Sequence, residues 1–350
     1  MRKKNDAQTP RILIVRLSAI GDVIQGVPVL CALRDALPDA FLGWVVEGRA
    51  GDLLNGHLAL DALVRVPRGW LKSPREVWRL RRRLHALQFD VAIDLQCLTK
   101  SAIAAWLSGA QRRIGKAGKD GRELSRWFHN ELVPCGGQHV IEHYLDLLKP
   151  LAIEAPEVKF DLPANAVDER MATEFLARSG LAAGSFALMN PGAGWPSKIW
   201  PAERYGELAR RLAESHGLST LAVWGIASEL PLAEAIVAAS GGQARLAPAT
   251  TMTELAALCR RAAIFIGSDT GPMHLAAAVG TPTISLHGPS RAEWCGAYGP
   301  QSMRLQARYE EGSALERRQA DDSAMRAIDV ALVAEACQRL LGERASIQCG

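Results

Sequence analysis

Three observations predict an α/β protein made of two doubly wound domains in tandem. Short apolar runs alternate with amphipathic stretches, the alternation restarts after a Pro- and Ala-rich passage at 151–184, and 350 residues suit two domains better than one. Composition agrees, because 48% hydrophobic and 22% charged residues exclude a disordered or collagen-like chain and allow a sizeable core.

In chain order, strand-like segments lie at 11–16, 41–46, Ala62–Val66 and Val91–Asp94, with helix-like stretches at 23–36 and 74–87 between them. Such alternation means parallel strands joined by crossover helices. The second series has strands at Phe186–Asn190, 218–224, 263–267 and 283–287. A last amphipathic stretch at 324–341, with apolar Ile328, Val330, Leu332, Val333, Leu340 and Leu341, reads as a helix. The expected boundaries are 1–178, 179–322 and, for the C-terminal helix, 323–345. Ligands of this architecture bind at the carboxyl ends of the strands, here in an expected cleft between the domains.

No apolar run approaches the roughly 18 residues of a membrane helix, and Met1-Arg2-Lys3-Lys4 leads into polar sequence where a secretory signal is apolar. The seven cysteines include no C-x-x-C pair, which disfavours a disulfide framework or a thiolate zinc site and suits a reducing cytoplasm. The formal charge of +4 is unevenly spread: 65–126 holds fifteen Lys/Arg against five Asp/Glu. Arg75, Arg79, Arg81, Arg82 and Arg83 form either a solvated helix face or part of an anion-binding surface. Lys100, Arg112, Arg113, Lys116, Lys119, Arg122 and Arg126 add charge in the same half. An anionic substrate or an acidic membrane surface is the expected partner, and nucleic acid is not.

Three turns carry candidate chemistry. Leu17-Ser18-Ala19-Ile20-Gly21-Asp22 follows the first strand. Gly21 permits a tight turn, and Asp22 is either a helix cap or a functional carboxylate. The G-x-G-x-x-G spacing of a dinucleotide fingerprint is absent. The second turn, Asn190 to Pro201, has Gly192 and Gly194 ahead of Lys198, which is either solvated or a point charge for phosphate. In the third, Gly267-Ser268-Asp269-Thr270-Gly271-Pro272-Met273-His274, Pro272 opens a small-residue helix whose free N–H groups suit a diphosphate. His274 is either a packed helix residue or a contact to that anion.

Two patterns mislead. Asp269-Thr270-Gly271 matches aspartic proteases, but those are β proteins that need two such carboxylates. His139-Val140-Ile141-Glu142-His143 matches an inverted zinc-protease pattern without an evident third ligand.

Taken together, the turns resemble glycosyltransferase family 9, the bacterial heptosyltransferases of lipopolysaccharide inner-core synthesis. The matching pieces are 12–23, Trp44-Val45-Val46-Glu47, Asp94-Leu95-Gln96, Lys100-Ser101-Ala102, Lys198-Ile199-Trp200-Pro201 and 269–278. The resemblance implies a GT-B fold of two facing Rossmann-like domains, acceptor on the first and nucleotide-sugar on the second, with the last helix crossing back onto the first. It implies Asp22 as general base, and Ser18, Gly21, Lys100, Arg112 and Arg113 on the acceptor. Gly194, Lys198, Glu229, Asp269, Thr270, Gly271, Pro272 and His274 are implied on the donor, with Glu229 on the ribose. The pattern is most like heptosyltransferase I, which passes heptose from ADP-heptose to the Kdo of Kdo2-lipid A. A metal-independent monomer, peripheral to the cytoplasmic face of the inner membrane, is expected. The family's usual glycine after Asp-Leu-Gln is Cys97 here, and a charged 310–323 segment replaces a cysteine-rich one. Heptosyltransferase II, a sugar-nucleotide 2-epimerase and a non-catalytic anionic-glycolipid binder are the alternatives.

Overall fold

Among the described residues every strand pairing is parallel, and each half of the chain is organised on one six-stranded sheet. The computed structural model describes residues 9–118 and 121–348, so the basic N-terminal leader and Lys119 lie outside it. The first sheet comprises β1 (Arg11–Val15), β2 (Phe41–Glu47), β3 (Ala62–Val66), β4 (Val91–Asp94), β5 (Arg112–Lys116) and β6 (Glu131–Val133), in the order β3-β2-β1-β4-β5-β6. The second comprises β7 (Phe186–Asn190), β8 (Ser219–Ala222), β9 (Ala244–Leu246), β10 (Ile264–Ser268), β11 (Thr283–Leu286) and β12 (Ser302–Leu305), in the order β12-β11-β10-β7-β8-β9. Both therefore reverse direction of winding once, between β1 and β4 and between β7 and β10. Loops leave that switch point on opposite faces, which opens a crevice at the carboxyl ends of the strands.

The central strands are apolar because helices cover both faces of each sheet. β1 and β7 are almost wholly buried. The helix Ile20–Ala36 is buried nearly all round and approaches the sheet at Gly26, where a Cβ would meet Leu95 and Trp44 at 3.0 and 3.1 Å. No helix among the described residues is long and apolar enough to cross a membrane. The six cysteines described are all free.

The halves divide at Pro163/Ala164, fifteen residues before the expected boundary at 178. The helix Ala166–Arg178 belongs to the second unit because it packs on the helix Met252–Cys259, where Glu169 pairs with Arg260 (2.8 Å) and Arg261. The final helix Val330–Gln348 packs within the second unit. Its Val330, Val333, Ala336, Cys337 and Leu340 complete the second unit's core, against the helix Ala202–His216, β11 and β12. Leu332, counted in the apolar face, is exposed.

Close helix packing in the second unit gives a test of the fold. A Cβ at Gly206 would lie 2.5 Å from Ala239 Cβ and 2.7 Å from its carbonyl carbon, where the helices Ala202–His216 and Leu230–Ala239 meet. Overpacking costs about 1–3 kcal/mol and outweighs the gain of up to about 1 kcal/mol from removing a helical glycine. Gly206→Ala should lower the urea midpoint, and a raised midpoint would show that these helices have room to part.

Candidate functional site

At the first switch point β1 runs into Arg16-Leu17-Ser18-Ala19 and the helix Ile20–Ala36. Ala19, not Asp22, occupies the cap position. From the third helical residue Asp22 reaches back, its Oδ2 accepting the Ala19 N–H at 2.9 Å and pairing with Arg16 at 2.6 Å. The Asp22 carboxylate remains 40% exposed, while Arg16 is nearly buried. Burial pulls the Arg16 guanidinium down, but Tyr144, Asp22 and Asp94 together outweigh it and hold the pKa above its ordinary value. Arg16 and Lys116 both lie over the Tyr144 ring, at 5.5 and 4.6 Å from its centroid. Ser18 is half-buried beside this pair, and Gly21 is buried in the first helical turn.

The neighbouring β4 turn is held by Asp94, which is fully buried. Its Oδ1 accepts the N–H groups of Gln96 and Cys97, each at 2.9 Å, while Oδ2 accepts Ser101 Oγ–H at 2.8 Å and lies 3.1 Å from His129 Nε2. Gln96 in turn accepts the Leu17 N–H, which ties the two turns together. Cys97 has φ +51°, so the position that is usually glycine in the resembled family needs the left-handed region. The thiol offsets part of that strain by donating to Asp94 O at 2.9 Å and accepting the Lys116 N–H at 3.3 Å. Lys100 sits at the same edge, paired with the nearly buried Glu47 at 2.7 Å.

Arg112 and Arg113 are a correction. Arg112 is level with Val91, at the amino end of its strand and thus at the opposite edge from Asp22. It makes a bidentate pair with Glu131 and donates to Pro150 O, while Arg113 donates to the carbonyls of Phe128 and Ala110. Both fasten loops under the sheet and do not join the Asp22 cluster.

At the second switch point Asp269, just past β10, gathers Lys198 and His274. Lys198 Nζ lies 2.5 Å from Oδ2 and His274 Nε2 lies 3.3 Å from Oδ1. Burial raises the Asp269 pKa, but the His274 hydrogen bond and the charges of Lys198, His274 and His287 drive it well below the usual carboxylate range. Thr270 is the cap position of the helix Gly271–Ala278 and its side chain makes no cap bond, so the N-terminal N–H groups stay open beside Pro272. The Lys198 ammonium also lies 4.3 Å from the Trp195 ring centroid, with Arg318 at 5.0 Å from that ring. Gly194 is exposed with nothing near its Cβ direction. Glu229 begins the helix Leu230–Ala239; its Oε2 accepts the Gly225 N–H at 2.9 Å, and its Oε1 would be 2.4 Å from a Cβ at Gly192. Only glycine at 192 lets this carboxylate bridge the turns after β7 and β8.

Sequence reasoning missed several neighbours. His287, directly after β11, is fully buried with Nδ1 3.2 Å from Ser290 Oγ. Cys295 donates to Asp269 at 3.4 Å, and Arg318 comes from the charged 310–323 segment. The readable signal for His287 was its place after a strand and before Gly288-Pro289. Asp269, His287 and Cys295 each bring one possible metal-ligand atom within 4.8 Å of the others. Lys198 pairs with the same carboxylate, and burial together with the Asp269 charge pushes the Cys295 thiol well up. The His139–His143 pattern is a helix start: His139 Nδ1 accepts the Ile141 N–H, Glu142 accepts the His139 N–H, and His143 Nε2 lies 2.7 Å from Gly137 O.

Residues 77–324 match the family described as glycosyltransferase family 9 (heptosyltransferase). The lipopolysaccharide heptosyltransferase 1 of Pseudomonas aeruginosa is 33% identical over 310 residues, 84% of this chain and 83% of that protein. A glycosyltransferase family 9 structure from Veillonella parvula superposes with a TM-score of 0.85 at 23% identity, over 97% of this chain and 100% of that one. The Escherichia coli heptosyltransferase WaaC with ADP-2-deoxy-2-fluoro heptose gives 0.72 at 25% identity, over 94% and 99%. The fold shared with these structures is GT-B.

Burial lowers the His287 pKa to about 4, with the charges of His274, Lys198 and Arg304 assisting against Asp269. A histidine kept neutral by folding contributes stability that is complete above its unfolded value of about 6.5 and is lost as pH falls toward 4. At pH 5 the loss is on the order of 2 kcal/mol. The melting temperature of His287→Gln should therefore fall less than that of the parent between pH 7 and 5; identical slopes would place the titration elsewhere.

Proposed function

Because the chain belongs to glycosyltransferase family 9, the heptosyltransferases, we propose that it transfers heptose from ADP-heptose to the Kdo of Kdo2-lipid A, working as a peripheral protein on the cytoplasmic face of the inner membrane. The chain is a glycosyltransferase, and lipopolysaccharide synthesis is its setting. The observation that carries the finer reading is the cluster of Lys198 and His274 around Asp269 at an open helix N-terminus. A nucleoside diphosphate needs that combination of a mobile point charge and oriented N–H donors.

In the mechanism that follows, the acceptor hydroxyl oxygen attacks the anomeric carbon while the bond from that carbon to the diphosphate breaks. ADP leaves with the bonding electrons, Asp22 takes the hydroxyl proton, and configuration inverts. Arg16 and the Ala19 N–H fix the Asp22 carboxylate by Oδ2. Asp269 keeps the Lys198 ammonium in place until the more highly charged diphosphate competes for it, and His274 sits within reach of the same anion. The N–H groups at Thr270 and Gly271 meet the charge that develops on the leaving group without reorganising. Glu229, which already spans the turns after β7 and β8, is assigned to the ribose, with Gly194 leaving room for the donor.

Four experiments test this. Asp22→Asn retains an oxygen for the Ala19 N–H but not the proton acceptor, so kcat should fall by about 10²- to 10⁴-fold. Since the nearly buried Arg16 also loses its pair, kcat is read on protein verified as folded; a value within about threefold of the parent would assign Asp22 to structure. On the donor side, activity should survive EDTA, and Lys198→Ala should weaken ADP binding. Activity abolished by the chelator and restored by Mg2+ would refute neutralisation by protein alone. Finally, lipopolysaccharide from a strain lacking the gene should be truncated at Kdo; loss of only the second heptose would instead indicate heptosyltransferase II.

A further inference from the structure

One face of the first unit takes part in neither charged cluster. The helices Pro74–Ala86 and Thr99–Leu107 lie side by side on one side of the first sheet, with Leu80, Leu84, Ala104 and Ala105 in the core beneath them. His85 of the first helix packs on Gly109, just past the second. The turn at 122–128 runs along the second helix: Leu124 N–H donates to Thr99 Oγ1, and Trp106 meets Phe128 edge-on at 6.3 Å. These contacts join three segments into one surface.

What that surface shows to water is unusual. Trp78, Trp106, Leu124 and Trp127 are 57, 51, 58 and 75% exposed. Single exposed apolar residues need no explanation, but three indoles and a leucine on neighbouring segments do. Around them Lys72, Arg75, Arg81, Arg82, Arg122 and Arg126 are exposed, and none forms a salt bridge among the described residues. Among the described residues, Glu76 is engaged by Arg79 at 2.5 Å and Glu123 by the Thr99 N–H. Arg82 lies over the Trp78 ring at 4.8 Å, so charge and indole are presented together. A solvated helix face accounts for the arginines and leaves the indoles unexplained.

We propose that this face docks the protein onto an anionic lipid surface, with Trp78 and Trp127 at headgroup depth and the surrounding arginines on lipid phosphates. Indoles favour the membrane–water interface, and juxtaposed cations add attraction to acidic headgroups. The proposal deepens the reading above, and rests on it, by naming the face through which the enzyme meets a lipid-anchored acceptor. The geometry is apt, since the helix Thr99–Leu107 begins at the sheet edge where Lys100 pairs with Glu47.

The full chain is tested by cosedimentation with vesicles of phosphatidylcholine alone or with about 30% phosphatidylglycerol. Binding should need the anionic lipid and weaken as salt rises toward about 0.5 M, where the charges are screened. Brominated lipid should quench tryptophan emission. Arg81→Glu with Arg82→Glu should weaken vesicle binding at least tenfold, and Trp78→Ala with Trp127→Ala should remove most of the quenching. Arg178→Glu, an exposed charge of the second unit, should change neither. All variants should keep the parent's melting temperature and its turnover on a deacylated, water-soluble acceptor. Equal binding to both vesicle types, or binding and quenching unmoved by these substitutions, would overturn the proposal. Vesicle binding without turnover on the soluble acceptor would instead remove the proposed heptose transfer to Kdo and leave the docking face standing.

Discussion

The constraint on which everything else rests is parallel pairing in both sheets with one reversal of winding in each. A parallel sheet sends all its strands out through one edge, and the reversal separates two of those exits. At the first, Val15 is level with Asp94, so the turns carrying Arg16–Asp22 and Asp94–Cys97 emerge side by side. At the second, Asn190 is level with Gly267, which puts the Lys198 loop beside Asp269. Side chains about 70 residues apart in sequence thereby meet without any loop having to be long.

The two edges solve opposite electrostatic problems. The first presents a partly exposed carboxylate, oriented by Arg16 and a backbone N–H. The second gathers Lys198 and His274 on the two oxygens of one buried carboxylate, Asp269. In each case one group of the pair is functional in the proposed reaction and the other positions it. Burial matters to both: at Arg16 its downward pull is outweighed by Tyr144, Asp22 and Asp94, whereas the fully buried His287 is driven to the neutral form.

What could be read from sequence followed burial. The central strands β1, β4, β7 and β10 announced themselves because both faces are covered, which demands continuous apolar runs. β5, β6, β9 and β12 did not: Arg112-Arg113 and Glu131 lie in short strands near an edge, where half the side chains reach water. The site was legible where a turn followed a recognisable strand, as for Asp22, Lys198 and Asp269. Charge counting failed for Arg112 and Arg113 because composition carries no direction, and a residue at the start of a strand points to the wrong edge. The final helix was legible as an element. Its apolar stripe was correctly seen, but a stripe does not name the sheet it covers, and here that is the second.

Cys97 carries a consequence of its own. A left-handed backbone, a fully buried sulfur and two hydrogen bonds through that sulfur make its access to solvent depend on release of the whole Asp94 turn. Cys135 and Cys295 are only partly buried, though the Cys295 thiol is itself held well up by burial and Asp269. The interval before Cys97 becomes alkylated is thus a clock for breathing at the edge where Asp22 sits, supplied by a thiol held on a left-handed backbone.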